Sequence, residues 1–303
     1  MSVSVTSTNV GVPAPKLYSN LVFGAESIQK GIMEVIQDKR HKIPLNKFIV
    51  AANDVIAPQD TPSTSVDATT KSEVLITTGE LEKFDKFSPS DFNDDWRFLN
   101  SAGPSADVEF APAIRAAIEP LYVRAFNTDV EQIIWRGNTG GAGIFLRFNG
   151  LLVTGDADGT LNSVTPAGAI TSANVIAIFG ALTAALPAVV KGTTTPFIVC
   201  NHTDYFLYHE ALRALDSKGI NLDVGGFTTF SGYRLVPVSG MPAGRLWMTH
   251  DQNIKLGMWA QTDLTNVLVA RMAPHSRVWG IKLTAEMGVN YLIGAEIADY
   301  ITA

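Results

Sequence analysis

Apolar residues recur at helical spacing in a few stretches of the chain and alternate or run together in several others, and these two periods lay out its elements. Residues 1–20 mix Ser, Thr, Val, Gly and Pro with neither period, which predicts an extended arm ordered only by what holds it down. Ile28, Ile32, Val35 and Ile36 are spaced for a short helix over 26–39. NKFIVAANDVI (46–56) reads as a strand, and EVLITT (73–78) as a second one. The segment between them, APQDTPSTSVDATTK, offers almost nothing to a core. The two strands are therefore expected to form a long hairpin that projects from the body, and loops of that length carry function or lack order.

Phe110, Ile114, Ala117, Leu121 and Ala125 recur three or four apart and predict helix through most of 107–136. Pro112 suits the start, whereas Pro120 lies where a missing amide should kink or split the helix. Thr128 and Glu131 have capping-box spacing, which places a break near Asn127. IFLRFNGLLV (144–153) reads as a strand pair turning on Asn149-Gly150. The second half alternates helix and strand. A helix over 173–190 is capped by Ser172, and PFIVC (196–200) is a buried strand. Thr203 caps a helix over 204–215 that Gly219 stops. Strands follow at 228–238, 245–249 and 254–259. The last stretch, 278–294, is long and strand-like, with Gly288 as a bulge marker. No internal repeat is present, and the class is α+β with antiparallel pairing.

Composition sharpens this picture. The 303 residues suggest about two compact units. Apolar residues reach 46% and charged ones only 17%, which excludes a wholly disordered chain and leaves apolar surface for partners. One cysteine, Cys200, excludes an intrachain disulfide framework and fits a reducing compartment. A net charge of −6 gives no overall basic footprint for nucleic acid. Between Asp67 and Glu109 ten acidic residues face four basic ones, so this stretch alone carries the whole net charge of −6. It reads either as a solvated face or as a surface that selects a basic partner. Residues 1–15 lack the basic start and apolar core of a secretory signal. Residues 173–190 carry no charge, but Asn174, Gly180, Thr183 and Pro187 make them a buried helix before a membrane span.

No reactive constellation emerges. GNTGGAG (137–143) lacks the Gly-Lys-Ser/Thr ending of a phosphate loop and precedes no helix, so it is a turn. Asp156-Ala157-Asp158-Gly159 lacks the remaining ligands of a calcium loop. Cys200, His202, Asp204 and His209 form the densest cluster, and a thiolate–imidazole pair there is the sharpest catalytic alternative. A structural role fits better, because the spacing of His202 and His209 is not that of HExxH. His250-Asp251 reads as a turn at a strand end. No catalytic residue, metal ligand or cofactor is expected.

The order of motifs from residue 25 onward resembles the major capsid proteins of tailed bacteriophages, of the HK97-like fold. The resemblance is carried by the projecting hairpin before a long helix, then IIWRGN (133–138), FNGLL (148–152) and ALPAVV (185–190). FIVCNHTDYFLYHEAL (197–212), FSGYRLVPVSGMPAGRLWMTHDQNIKLG (230–257) and RVWGIKLTAEMGVNYLIGAEIADYI (277–301) complete it. It implies an N-terminal arm at 1–25, a short helix and connection at 26–45, and an extended loop at 46–100. A peripheral domain with a spine helix follows at 101–170, an axial domain at 171–264, and strands returning to the peripheral domain at 265–303. It further implies self-assembly through hexamers and pentamers into an icosahedral shell around double-stranded DNA, held without sequence-specific binding. The virion would be its location and the host bacterial cytoplasm its place of assembly, with no membrane contact. A portal and decoration proteins are implied partners. Because about 25 residues precede the first helix, scaffolding is expected from a separate protein. The acidic stretch would meet basic residues of a neighbour, and Lys39, Arg40, Lys42, Asp67, Lys71, Glu73, Glu80 and Glu82 are the candidate intersubunit contacts. Some relatives crosslink through a loop lysine; nothing marks Lys71, Lys83 or Lys86 as reactive. Encapsulin compartments share the fold and enclose protein cargo, and a Cys200/His202 hydrolase is the alternative of another class.

Overall fold

The computed structural model describes residues 24–38, 42–50, 69–87, 112–165, 168–214, 229–259, 266–273 and 278–302. The arm, the hairpin tip, the break expected at Gly219 and the acidic residues from Asp91 to Glu109 lie outside them. A single helical turn, α1 (Glu26–Gln29), opens the described chain. Gly31 then adopts φ +64 and turns the backbone into strand β1 (Glu34–Asp38). The helix expected over 26–39 thus ends after one turn. Val35 and Ile36 are β-branched, and pairing with a distant strand outweighs their weak helical spacing.

Strands β2 (Lys42–Val50) and β3 (Thr69–Thr77) form an antiparallel hairpin in which Lys42 opposes Thr77 and Val50 opposes Thr69. β4 (Gly79–Phe87) follows at once, a strand the sequence reading did not separate from its surroundings. Helix α2 (Pro112–Arg136) runs unbroken through Pro120 and Asn127. Thr128 donates its hydroxyl to the Arg124 carbonyl one turn back, and Glu131 turns into the core, so neither residue caps a new helix. Residues 144–153 are not a strand pair. They form a 3₁₀ turn (Gly143–Arg147) and the start of α3 (Leu151–Ala157). Asn149 takes the amide and hydroxyl of Thr139 on its side-chain oxygen, while the Gly150 amide donates to the Gly137 carbonyl. These bonds fold the segment back on the end of α2.

After β5 (Asn162–Val164), the expected long helix is two, α4 (Val175–Ala185) and α5 (Ala188–Thr193), separated by Leu186-Pro187. Asn174, not Ser172, closes the turn before α4, bonding to the Thr171 amide and the Ala169 carbonyl. β6 (Phe197–Cys200) leads into α6 (His202–Ala214), whose first turn is capped by Asn201 accepting the Thr203 amide. The expected strand over 228–238 is a tight hairpin, β7 (Thr229–Phe230) and β8 (Tyr233–Pro237), turning on Ser231 and Gly232 with φ +50 and +87. β9 (Arg245–Thr249), β10 (Ile254–Trp259), β11 (Asn266–Arg271), β12 (Trp279–Tyr291) and β13 (Ala298–Ile301) complete the chain.

One sheet has the order β1-β10-β12-β11, with β4 also pairing to the long β12; the second has the order β5-β13-β9-β6-β8-β7. Pairing is mixed rather than antiparallel throughout. β1 with β10, β5 with β13 and β6 with β8 are parallel. The β6–α6–β8 crossover requires this, because a parallel neighbour needs a long return through a helix. β10 lies in the first sheet and β13 in the second.

The six-stranded sheet is a wall shared by two cores. Phe197, Val199, Val236 and Trp247 face a core with Val130, Ile134 and Trp135 of α2. Ile198, Cys200, Leu235, Leu246, Met248 and Tyr300 face the other, with Phe179 and Leu182 of α4. Successive residues of a strand point to opposite faces. That is why FIVC and LWM are continuous apolar runs with no polar alternation.

Candidate intersubunit surface

The hairpin β2–β3 rests on a flat seat in the first sheet. Gly257 of β10 opposes Gly288 of β12 in register, and Met258 opposes Met287 beside them. Gly288 is therefore an in-register residue and not a bulge. With no side chains at this pair, the Ile43 and Ile76 side chains and the Thr77 backbone come down onto the strands. Ile43 and Ile76 are buried there. The Asn290 amide donates to the Leu75 carbonyl at 2.9 Å, and the Thr78 hydroxyl bonds to Glu286. Away from this base Lys71, Ser72 and Glu73 are exposed, as is Leu75.

The described candidate contacts are spread over the hairpin and β4. Lys42 stands at the hairpin base, and Lys71 and Glu73 lie farther along β3, opposite Phe48 and Asn46. Glu80 and Glu82 are on β4, opposite Glu286 and Thr284 of β12. Glu82 is paired with Lys282 at 2.7 Å, both half-exposed. Lys39, Arg40 and Asp67 lie outside the described residues. On the inner side of β4, Lys83 pairs with Asp129 of α2 at 2.7 Å, and Asp85 accepts the Tyr122 hydroxyl at 2.6 Å. This acidic strand thus ties the hairpin to the long helix, a link that sequence spacing alone does not reveal.

The densest reactive cluster is structural in its geometry. Cys200 is fully buried, and burial pushes its thiol up, away from thiolate. The His202 ring turns to Glu26 at 3.4 Å, and Asp204 accepts the Gly244 amide at 2.9 Å. His209 packs edge-on against Tyr205, its ring centre 4.5 Å away, and burial lowers its pKa. Asp156 and Asp158 hold structure too. Asp156 and buried Asp299 both grip Arg245, with shortest separations of 2.6 and 2.9 Å, and Asp158 accepts the Tyr291 hydroxyl at 2.8 Å. Among the described residues no three His, Cys, Asp or Glu side chains converge on a metal position. None of the described helices is long and apolar enough to cross a membrane.

A buried polar knot joins α1 to the long helix, and its partners are invisible to local pattern. Glu131, almost fully buried, accepts the Ser27 amide at 2.9 Å, the Ser27 hydroxyl at 2.5 Å and the Trp135 indole N–H at 3.0 Å. Burial raises its pKa, and these hydrogen bonds pull the other way. Nearby, Glu26 accepts the Ser239 amide at 2.7 Å, and Lys30 donates to the Pro237 carbonyl.

No family model and no curated protein sequence matches the chain. Solved structures do match it, and over nearly its whole length. The capsid of an empty GTA particle aligns with a TM-score of 0.61 at 14% identity, covering 100% of this chain and 96% of that one. The capsid of Myoviridae phage XM1 aligns at 0.60 and 12% identity, covering 92% of each chain. A virus-like particle from Pyrococcus furiosus aligns at 0.54 and 10% identity, covering 94% of this chain and 98% of that one. The chain therefore has the α+β architecture of shell-forming capsid subunits. That fold is the HK97-like one, the fold of tailed-phage major capsid proteins.

Proposed function

We propose that this chain is a major capsid protein, a structural protein rather than an enzyme, which self-assembles into the icosahedral shell enclosing the double-stranded DNA of a tailed phage. The observation that carries the reading is the hairpin β2–β3. It is seated at its base on the Gly257–Gly288 pair, and beyond that base Lys71, Ser72, Glu73 and Leu75 of β3 are exposed. Such a projection gains stability when a second copy covers it. Leu121, Val189, Phe206 and Leu268 are each more than half exposed on different elements, which suits a subunit covered on several sides. The buried thiol of Cys200 and the engagement of His202 with Glu26 favour this reading over hydrolysis. In this reading the arm, the extended loop, the peripheral domain and the axial domain keep the boundaries inferred above. Lys39, Arg40 and Lys42 then face acidic residues of a neighbour, and a separate scaffolding protein, a portal and decoration proteins complete the particle.

Negative-stain microscopy and sedimentation of the purified protein test this directly, with and without a co-expressed scaffold. Closed shells, or capsomers of five and six chains, are expected. A monomer at every salt and protein concentration overturns the proposal. Nuclease-protected DNA inside the particles separates a phage capsid from an encapsulin, which would hold protein cargo.

A further inference from the structure

A cleft of about 520 Å³ opens between the Gly31 turn, the end of α5 and strands β6 and β8. That volume is in the range of small-molecule sites. Pro196, Phe197 and Tyr233 give it an apolar wall, and Lys191, Arg234 and Thr195 bring two cations and a hydroxyl. Neither cation has a carboxylate partner among the described residues. The Lys191 ammonium lies 3.5 Å from the Ala184 carbonyl, and the Arg234 guanidinium sits 5.5 Å from the centre of the Phe197 ring. Asp251, the carboxylate on the rim among the described residues, accepts the Gln252 amide at 2.9 Å. The β7–β8 turn, left-handed at both Ser231 and Gly232, sets Tyr233 and Arg234 at the mouth.

Two cations with no carboxylate partner among the described residues, beside a hydroxyl, favour an anion. The volume far exceeds that of a bare phosphate and leaves space for a ring against Tyr233. We propose that this cleft binds a nucleotide unit, free or within single-stranded nucleic acid, with its phosphate on Lys191 and Arg234 and its base against Tyr233. This binding does not depend on shell assembly, and its test does not require assembly.

The full-length protein is titrated calorimetrically with inorganic phosphate, AMP and an eight-nucleotide thymidine oligonucleotide. AMP should bind at least about tenfold more tightly than inorganic phosphate, because stacking adds to the charge contact. The Lys191→Gln/Arg234→Gln double variant should weaken AMP binding at least about tenfold. Asp251→Asn should tighten it, by removing a negative charge from the rim. An oligonucleotide that binds more tightly than AMP assigns the site to nucleic acid, and the reverse order assigns it to the free nucleotide. Absence of binding by all three probes overturns the proposal, as does AMP binding unchanged in the double variant. Poly-glutamate binding in place of AMP also overturns it, because the cleft would then receive acidic side chains of a protein.

Discussion

Replacing Gly288 by Ala should tilt the hairpin while leaving the subunit folded. A Cβ at position 288 would stand 2.9 Å from the Thr77 carbonyl carbon and closer still to its oxygen. Backbone on both sides leaves no rotamer to relieve the clash. Restoring an ordinary C···O separation of about 3.3 Å moves the Thr77 carbonyl by roughly 1 Å. The pivot is the neighbouring strand, about 4.8 Å away, so the hairpin tilts by about 12°. Each strand has nine residues, or about 30 Å, and the far end swings by about 6 Å. Overpacking of this kind costs about 1–3 kcal/mol, and each kcal/mol lowers Tm by about 2–4 °C in a domain of this general size. Gly257→Ala is the internal control. Its Cβ would meet the Ile43 Cδ1 at 2.6 Å, a side-chain end that can rotate aside, and the Ile76 Cγ2 at 3.0 Å, with no backbone atom in the way. Circular-dichroism melting gives the stability cost, and particle yield by sedimentation reads the geometry. Gly288→Ala should remain folded with a sharply reduced shell yield, and Gly257→Ala should assemble nearly normally. Equal yields for the two variants, or wild-type assembly by Gly288→Ala, would refute the glycine seat as the element that aims the hairpin.

Three further outcomes follow from buried polar and sulfur groups. Arg245→Met leaves Asp299 charged and buried without its partner, which should cost about 3–5 kcal/mol in urea unfolding; Arg245→Met/Asp299→Leu should recover much of that, and a single variant as stable as wild type would show that the pair is solvated. Cys200→Ala should lose about 1 kcal/mol of packing and leave assembly intact; rapid alkylation of the native thiol by iodoacetamide would contradict its burial. Glu131 binds its proton more tightly folded than unfolded, because burial raises its pKa above the ordinary 4.5. The stability it adds is complete below that value and is lost as pH rises through the raised pKa. The stability difference between wild type and Glu131→Gln should therefore fall as pH rises from 4.5, and a difference that grows with pH would show the carboxylate to be stabilised.

Local periodicity alone located β6, β9, β10, most of α6 and the long strand β12. Their apolar runs are continuous because both faces of the shared wall are buried, and no other element type accommodates FIVC so briefly. The burial of Cys200 was legible for the same reason. Partner-dependent features were not. Glu26–Asp38 became one turn and a strand because β10, more than two hundred residues away, offers it a parallel edge. Pro120 and the Thr128/Glu131 spacing suggested a broken helix, yet α2 stays whole, with Thr128 bonded one turn back and Glu131 drawn to Ser27 across 104 residues. The candidate charges shared a sign pattern along the chain, but Glu82 was already engaged by Lys282 from another strand. Gly288 looked like a lone bulge until Gly257 stood opposite it. Spacing along the chain reports which faces are apolar. Which face meets which, and where a backbone must come close enough to exclude a side chain, is set only when distant strands pair.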